Sequence, residues 1–233
     1  MQTWTLVAAL AAAAGGASAQ LSTISFDVDG AGNALTAGTG FTGNEYAALG
    51  VTISSMNPNM NPLNLFDTDA RPSTGGDPDL QTGAEFDTDP QGNVLIIQDI
   101  GDNPISTPDD DEDGGGFLFE FSNPLGVAAL SIGILDLDEN VDPIFTFTFL
   151  NGLEIDGSTL LVDVDLVNED FPGDNSLRVY SFSAAVPLQS LEIELDDVSG
   201  AITFVEFTNL VPTPGSMMLF AAAGLSAARR RRA

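Results

Sequence analysis

Ile144-Phe145-Thr146-Phe147-Thr148-Phe149-Leu150-Asn151-Gly152-Leu153-Glu154-Ile155 is the stretch that decides the fold. Its first six residues alternate with period two, which in a strand puts the three phenylalanines on one face and the threonines on the other. Asn151-Gly152 then separates this run from Leu153-Glu154-Ile155. Asn-Gly between alternating runs signals a hairpin, because both residues tolerate positive φ in a type I′ turn. The pattern predicts antiparallel strands at 144–150 and from 153 onward.

The same period extends outward. Phe117-Leu118-Phe119-Glu120-Phe121 alternates, and Leu191, Ile193 and Leu195 are separated by Glu192 and Glu194. Val94 to Ile97 is a continuous apolar run, as expected of a strand buried on both faces. Further strands are predicted at 22–28, 46–54, 127–136, 160–167, 177–183 and 201–208. No segment of 20–210 shows a long 3.6-residue apolar period. Some ten to twelve short strands with Gly, Pro, Asp and Asn between them predict an all-β domain, a single antiparallel β-sandwich of jelly-roll-like form with long acidic loops.

Two loops interrupt the strands. Residues 55–92 hold five of the chain's 13 prolines and read as a long decorated loop with one short strand near 63–66. Phe66-Asp67-Thr68-Asp69 recurs there as Phe86-Asp87-Thr88-Asp89, and two copies do not make a solenoid. Residues 99–116 form the second acidic loop. Long loops on a sheet scaffold are where function concentrates.

Charge narrows the chemistry. The chain has 34 acidic residues, six basic ones and no His or Cys, with a net charge of −28. All the acids lie within 20–210, where Arg71 and Arg178 are the only basic side chains. That balance excludes nucleic acid as a partner, because phosphate binding requires Lys and Arg. Missing His and Cys remove the usual Zn, Cu and haem ligands. Self-repulsion of this size calls for screening by counterions or for bound cations.

Hard cations bound by oxygen, Ca²⁺ above all, are the cofactor the acidic loops predict. Asp109, Asp111 and Asp113, with Gly114 next and Glu120 further on, satisfy a calcium-loop pattern in which alternate carboxylates converge and glycine allows a sharp turn. No helix flanks them, and Glu120 falls within a predicted strand. A second candidate set is Asp67 and Asp69 with Asp77 and Asp79 of Gly75-Gly76-Asp77-Pro78-Asp79. Asp27, Asp29, Asp136 and Asp138, at strand ends, are reserve ligands. The alternative for all of them is a solvated acidic surface and Asx-turns.

Catalysis finds little support: a triad lacks its His, and thiol and amine nucleophiles are absent. A carboxylate pair alone suffices for a glycosidase, so a polysaccharide hydrolase stays a third reading. A carbohydrate-binding module, using Ca²⁺-bridged hydroxyls, is the second. A sheet face presenting Tyr46 or Tyr180 would favour the module; a buried carboxylate pair in a cleft would favour the hydrolase.

The ends of the chain carry a different kind of information. Residues 5–14 are an apolar run, and Ala17-Ser18-Ala19 is a small-x-small cleavage site, so residues 1–19 read as a signal peptide with cleavage before Gln20. Val211-Pro212-Thr213-Pro214-Gly215 precedes a short apolar segment, 216–228, and then Arg229-Arg230-Arg231-Arg232. As a helix that segment falls short of the bilayer's roughly 30 Å core, and the arginines would hold its end cytoplasmic.

On these residues the tail, 211–233, resembles the PEP-CTERM sorting signals of Gram-negative bacteria, with Thr213 where the motif's glutamate usually stands. The Gly75–Leu80 stretch is loosely similar to loops of secreted jelly-roll proteins. The tail's resemblance implies recognition and cleavage by an exosortase-type enzyme, transient anchoring in the inner membrane, and delivery to the cell surface or extracellular matrix. The expectation is thus an exported, non-enzymatic protein in three parts: 1–19, 20–210 and 211–233.

Overall fold

A computed structural model describes residues 17–56, 61–69, 78–101, 104–137, 142–168, 175–196 and 198–212. Eleven strands account for most of them: β1 (Ala17–Ser25), β2 (Val51–Ser55), β3 (Leu63–Asp67), β4 (Asn93–Ile97), β5 (Gly114–Phe121), β6 (Val127–Leu135), β7 (Ile144–Phe149), β8 (Glu154–Asp156), β9 (Leu161–Leu166), β10 (Leu177–Asp196) and β11 (Ala201–Pro212). Every strand pair is antiparallel. All eleven belong to one continuous sheet, whose main path runs β2-β5-β10-β6-β11-β4-β3.

β10 is the spine. The sequence predicts two strands, at 177–183 and around 191–195; the chain instead keeps one strand of 20 residues. Its first part pairs with β6 and β9, its second with β5 and β7. The register with β6 shifts between Ser183 and Leu188. Pro187 lies there and lacks the N–H a ladder requires.

The alternation sets the core. In register, Leu191 stands opposite Phe119 and Phe147, and Ile193 opposite Phe117 and Phe145. These side chains are buried in one cluster with Ile132, Tyr180, Phe182, Val205 and Phe207. Phe147 of β7 lies 5.0 Å from Phe182 of its neighbour β10, and Phe121 of β5 lies 5.3 Å from Phe207 of β11, a strand with which β5 shares no ladder. The sheet therefore curls over its own apolar face. Such ring pairs add about 0.5–1.5 kcal/mol each beyond burial.

β4 bears out its continuous apolar run. Leu95 and Ile97 join the main core, while Val94 and Ile96 face a second cluster with Phe66, Leu80, Leu135, Leu177 and Ala201. Leu80 comes from the 55–92 loop and is fully buried. Burying one such side chain contributes about 1.5–3 kcal/mol, so this loop is part of the folded body.

Several expectations need correction. The first strand begins at Ala17 rather than Ser22, because its ladder with β11 continues through Ala17 opposite Pro212. In place of a strand from 46 there is a 3₁₀ turn over Ala47–Leu49, closed by Gly50 at φ 76°, before β2 starts. The 150–153 connection is not a type I′ turn. Only Gly152 has positive φ, 79°; Asn151 does not. Gly152 N–H donates to the Phe149 carbonyl, and Asn151 Oδ1 accepts from Leu153 N–H. This is a type I-like turn followed by a left-handed glycine. The Phe-Asp-Thr-Asp copies also diverge: Phe66 is on β3, while Phe86 ends a 3₁₀ turn.

Candidate functional site

The acidic loops meet the sheet through a set of buried amides. Asn64, Gln98, Asn168 and Asn175 are all buried. Asn64 Nδ2 donates to Gln98 Oε1 at 2.6 Å and to the Ile105 carbonyl at 2.9 Å. Gln98 Nε2 donates to the carbonyls of Asp99 and Thr107. This pair clamps the second acidic loop onto the ends of β3 and β4. Asn168 does the same for the first loop. Its Nδ2 donates to the Phe86 and Asn175 carbonyls, and its Oδ1 accepts from Leu177 N–H at 2.7 Å. Asn175 Nδ2 reaches the Pro78 and Gln81 carbonyls.

Within this frame the predicted Asp109, Asp111 and Asp113 do not act alike. Asp111 is buried; its Oδ2 accepts from Asn61 Nδ2 at 2.7 Å and its Oδ1 from Asp113 N–H at 3.1 Å. Asp113 is exposed, Asp109 half-buried, and Glu120 faces solvent from β5. The sharp turn expected of Gly114 is present, at φ 72°, and it launches β5. Asp110, which the pattern passed over, is buried, and its Oδ2 accepts from Gly200 N–H at 2.9 Å. Asp136 is also buried, with Oδ1 accepting from Asn175 N–H at 3.0 Å. Asp138 and Asp77 lie outside the described residues.

Asp67 and Asp69 are brought together, and Asp27 joins them. The three line one open cavity of about 450 Å³ with Gly92, Asn93 and the Leu35–Ala37 segment. Asp67 Oδ1 accepts from Asp69 N–H, and Asp69 Oδ2 accepts from Gly92 N–H at 3.2 Å. Asp27 Oδ1 accepts from Asn93 N–H at 2.9 Å. Asp27 and Asp69 thus flank Gly92, where any side chain would meet the Asp27 carboxylate. Asp79 is half-buried in the turn before Leu80, and Asp29 caps its own loop through Ala31 and Asn33 N–H. An all-oxygen donor set of this kind fits a hard cation. Among the described residues no three acidic side chains converge closely enough to hold a metal ion.

The groups reserved for other chemistries are accounted for. Tyr46 and Tyr180 are core residues, 1% and 2% exposed. Tyr46 donates to the Ser25 carbonyl, and Tyr180 to Asp142. Burial, with Glu45, Asp27 and Asp29 nearby, raises the Tyr46 hydroxyl well above its ordinary range; burial first of all pushes Tyr180 up to about 12. Neither ring is presented as a stacking platform. The buried amides were missed by sequence reasoning. Gln98 carries one legible signal, a polar residue extending the apolar run of β4; Asn64 lies within β3, and Asn168 and Asn175 sit in turns among residues of their own kind.

Ala17 and Ala19 lie on β1, opposite Pro212 and Leu210. Val211 and Pro212 end β11. Thr213, Pro214, Gly215, the 216–228 segment and Arg229 to Arg232 lie outside the described residues, as do residues 1–16. Among the described residues no helix is long and apolar enough to cross a membrane. Compared with known proteins, the chain matches no family model, no curated protein and no solved structure.

Proposed function

We propose that the chain is an exported, non-enzymatic protein of the Gram-negative cell surface or extracellular matrix. In this reading it is a jelly-roll-like β-sandwich, stabilised by Ca²⁺ and delivered by its C-terminal sorting tail. The observation that carries the reading is the pairing of the two terminal signals around one acidic β domain. The strand register supports it. Ala19, at the expected signal cleavage site, stands opposite Leu210, the last residue before the sorting motif. Both tethers of such a precursor would then leave one point of its fold. Cleavage after Ala19 would leave Gln20 to Ser25 still paired with Asn209 to Phe204, so processing trims the ladder without dismantling it.

The cation part rests on Asp27, Asp67 and Asp69. Their open cavity offers three carboxylates around a glycine, whereas Asp111 is buried and holds its own loop. Ca²⁺ would draw the three carboxylates together and tie the start of the chain to β3. The buried acids elsewhere accept backbone or amide hydrogen bonds, which is the chemistry of loop anchoring rather than proton transfer.

Two measurements test the reading. Intact-mass analysis of the surface fraction from a competent host should find residues 1–19 and most of 216–233 gone; recovery of the whole tail would leave a plain membrane anchor. Thermal melting of the chain should show a Ca²⁺ increment beyond that of Mg²⁺, and beyond NaCl at matched ionic strength. Native-state binding at 100 times Kd contributes about 2.7 kcal/mol. Asp67→Asn with Asp69→Asn should remove the Ca²⁺-specific increment. An equal response to NaCl would reduce the cation effect to screening.

A further inference from the structure

β9 is one of the strands that, among the described residues, pair along a single edge. Its hydrogen-bonded neighbour is β10, with Arg178 opposite Leu166 and Phe182 opposite Leu161. Among the described residues no strand pairs with its other edge. An unpaired edge presents backbone N–H and C=O groups that template another strand. The side chains are open as well. Val162 is 67% exposed and Val164 44%, although Val164 stands opposite the core residue Tyr180. Asp163 and Asp165, also exposed, stand opposite Ser181 and Val179 and so lie on the other face. The register shifts at Val162, and Leu161, exposed and opposite Phe182, shares the face of Val164. The free edge therefore has one apolar face, Leu161 and Val164, and one acidic face. Among the described residues the one cationic side chain, Arg178, is buried and contacts Asp142.

We propose that β9 is a docking strand for an extended segment of a partner polypeptide in which apolar and basic residues alternate. The guest's apolar residues would cover Leu161 and Val164, and its basic residues would face Asp163 and Asp165. Backbone pairing supplies the attachment and the alternating side chains the selection, as in strand addition generally. The aspartates also decide against a second copy of this chain. Antiparallel pairing of β9 with itself would set aspartates across from or diagonal to one another, and like charges so placed destabilise a sheet. In a chain of net charge −28 that repulsion is unrelieved. One pair of residues thus disfavours self-association and favours a cationic guest. The inference depends on neither the sorting tail nor Ca²⁺.

The test uses the full chain and three fluorescein-labelled ten-residue peptides. One alternates Val and Lys, one alternates Val and Glu, and one is the Val–Lys peptide with alternate amides N-methylated. The last keeps the charge and loses the hydrogen bonds. Fluorescence anisotropy should show binding of the Val–Lys peptide, with affinity at least tenfold weaker after N-methylation. The variant Asp163→Lys with Asp165→Lys, checked for an unchanged melting curve, should lose the Val–Lys peptide by at least tenfold and gain the Val–Glu peptide. Equal binding of the N-methylated peptide, or an unaffected variant, would reduce the interaction to general attraction by a polyanion and overturn the proposal. So would a concentration-dependent dimer of the unmodified chain that Val164→Arg abolishes, since the occupant would then be a second copy.

Discussion

Asp136, just past β6, is 1% exposed, and its Oδ1 accepts a hydrogen bond from the Asn175 backbone. Asp163, on β9, stands in solvent beside Val162 and Val164. The same contrast holds for their surroundings. Where the two acidic loops meet the sheet, Asp110, Asp111 and Asp136 are buried and hydrogen-bonded. Along β8 and β9, Glu154, Asp156, Asp163 and Asp165 are exposed, with Leu153 and Val162 open nearby. A buried carboxylate is ordinarily neutralised by a cation. A chain without Lys or His has almost none to offer, so backbone N–H groups and amide side chains take that place. The loop region is consequently fixed by Asn and Gln, while the acids on β8 and β9 stay in solvent, Asp156 capping its own turn through Ser158 N–H.

Breaking the amide frame should therefore have the largest effect. Asn168→Ala removes bonds to the Phe86 and Asn175 carbonyls and to Leu177 N–H. An unsatisfied buried polar group costs about 1–3 kcal/mol, so a loss of about 3 kcal/mol or more is expected in urea unfolding. Asp163→Asn, at the open strand, should change stability by less than about 0.5 kcal/mol. Equal effects of the two substitutions would erase the distinction between the regions.

A middle-sized effect is expected where strain acts without packing. Gly152 has φ 79° and open space where a Cβ would stand. Gly152→Val should cost about 1–2 kcal/mol from the left-handed backbone alone. Gly114 has a similar φ, 72°, but a Cβ there would run into the Leu195 and Val198 carbonyl oxygens. Gly114→Val should therefore cost clearly more in the same unfolding measurement. If the two glycines respond alike, steric enclosure at the acidic loop is not what distinguishes them.

These contrasts mark what the sequence discloses. The period-two runs at 117–121 and 144–149 specify strand, face and core together, because one buried face forces one register. The apolar run 94–97 likewise announced burial on both sides, although not that Leu80 would supply the second cover. β10 reads as two strands from its separate runs at 177–183 and 191–195; the sheet absorbs Pro187 between them as an irregularity where β10 changes partners. The Asp-x-Asp spacing points to Asp67 and Asp69, while Asp27 reads only as a reserve ligand at a strand end. Its arrival beside them depends on the β1 end meeting Asn93, a contact across 66 residues that no local pattern records. The Asp109–Asp113 motif fits the calcium-loop spacing, yet its central carboxylate is engaged by Asn61, from a loop 50 residues earlier. Local spacing identifies groups able to act; only the fold decides which are already occupied.

The smallest expected effect lies on the outer face of β10. Glu192 stands between Leu118 of β5 and Thr146 of β7. Partial burial, then Glu194 and Glu154, hold its carboxyl above the usual 4.5. Because the folded value exceeds the unfolded one, the charged form costs stability at neutral pH, and the cost disappears as pH falls below about 4.5. Asp29 and Asp156 have the opposite sign. Hydrogen bonds from Asn33 to Asp29, and from the Ser158 backbone to Asp156, hold them below 3.8. Their contribution is present above that value and lost as pH drops through the folded one. The melting temperature should thus rise slightly as pH falls towards 4.5 and then fall below about pH 3.8. Glu192→Gln should stabilise the chain at pH 7.5 by less than about 0.5 kcal/mol, since solvent screens a partly exposed charge. It should do nothing at pH 4. A gain that persists at pH 4 would have to come from packing, and the open acidic face would then not be a source of self-repulsion.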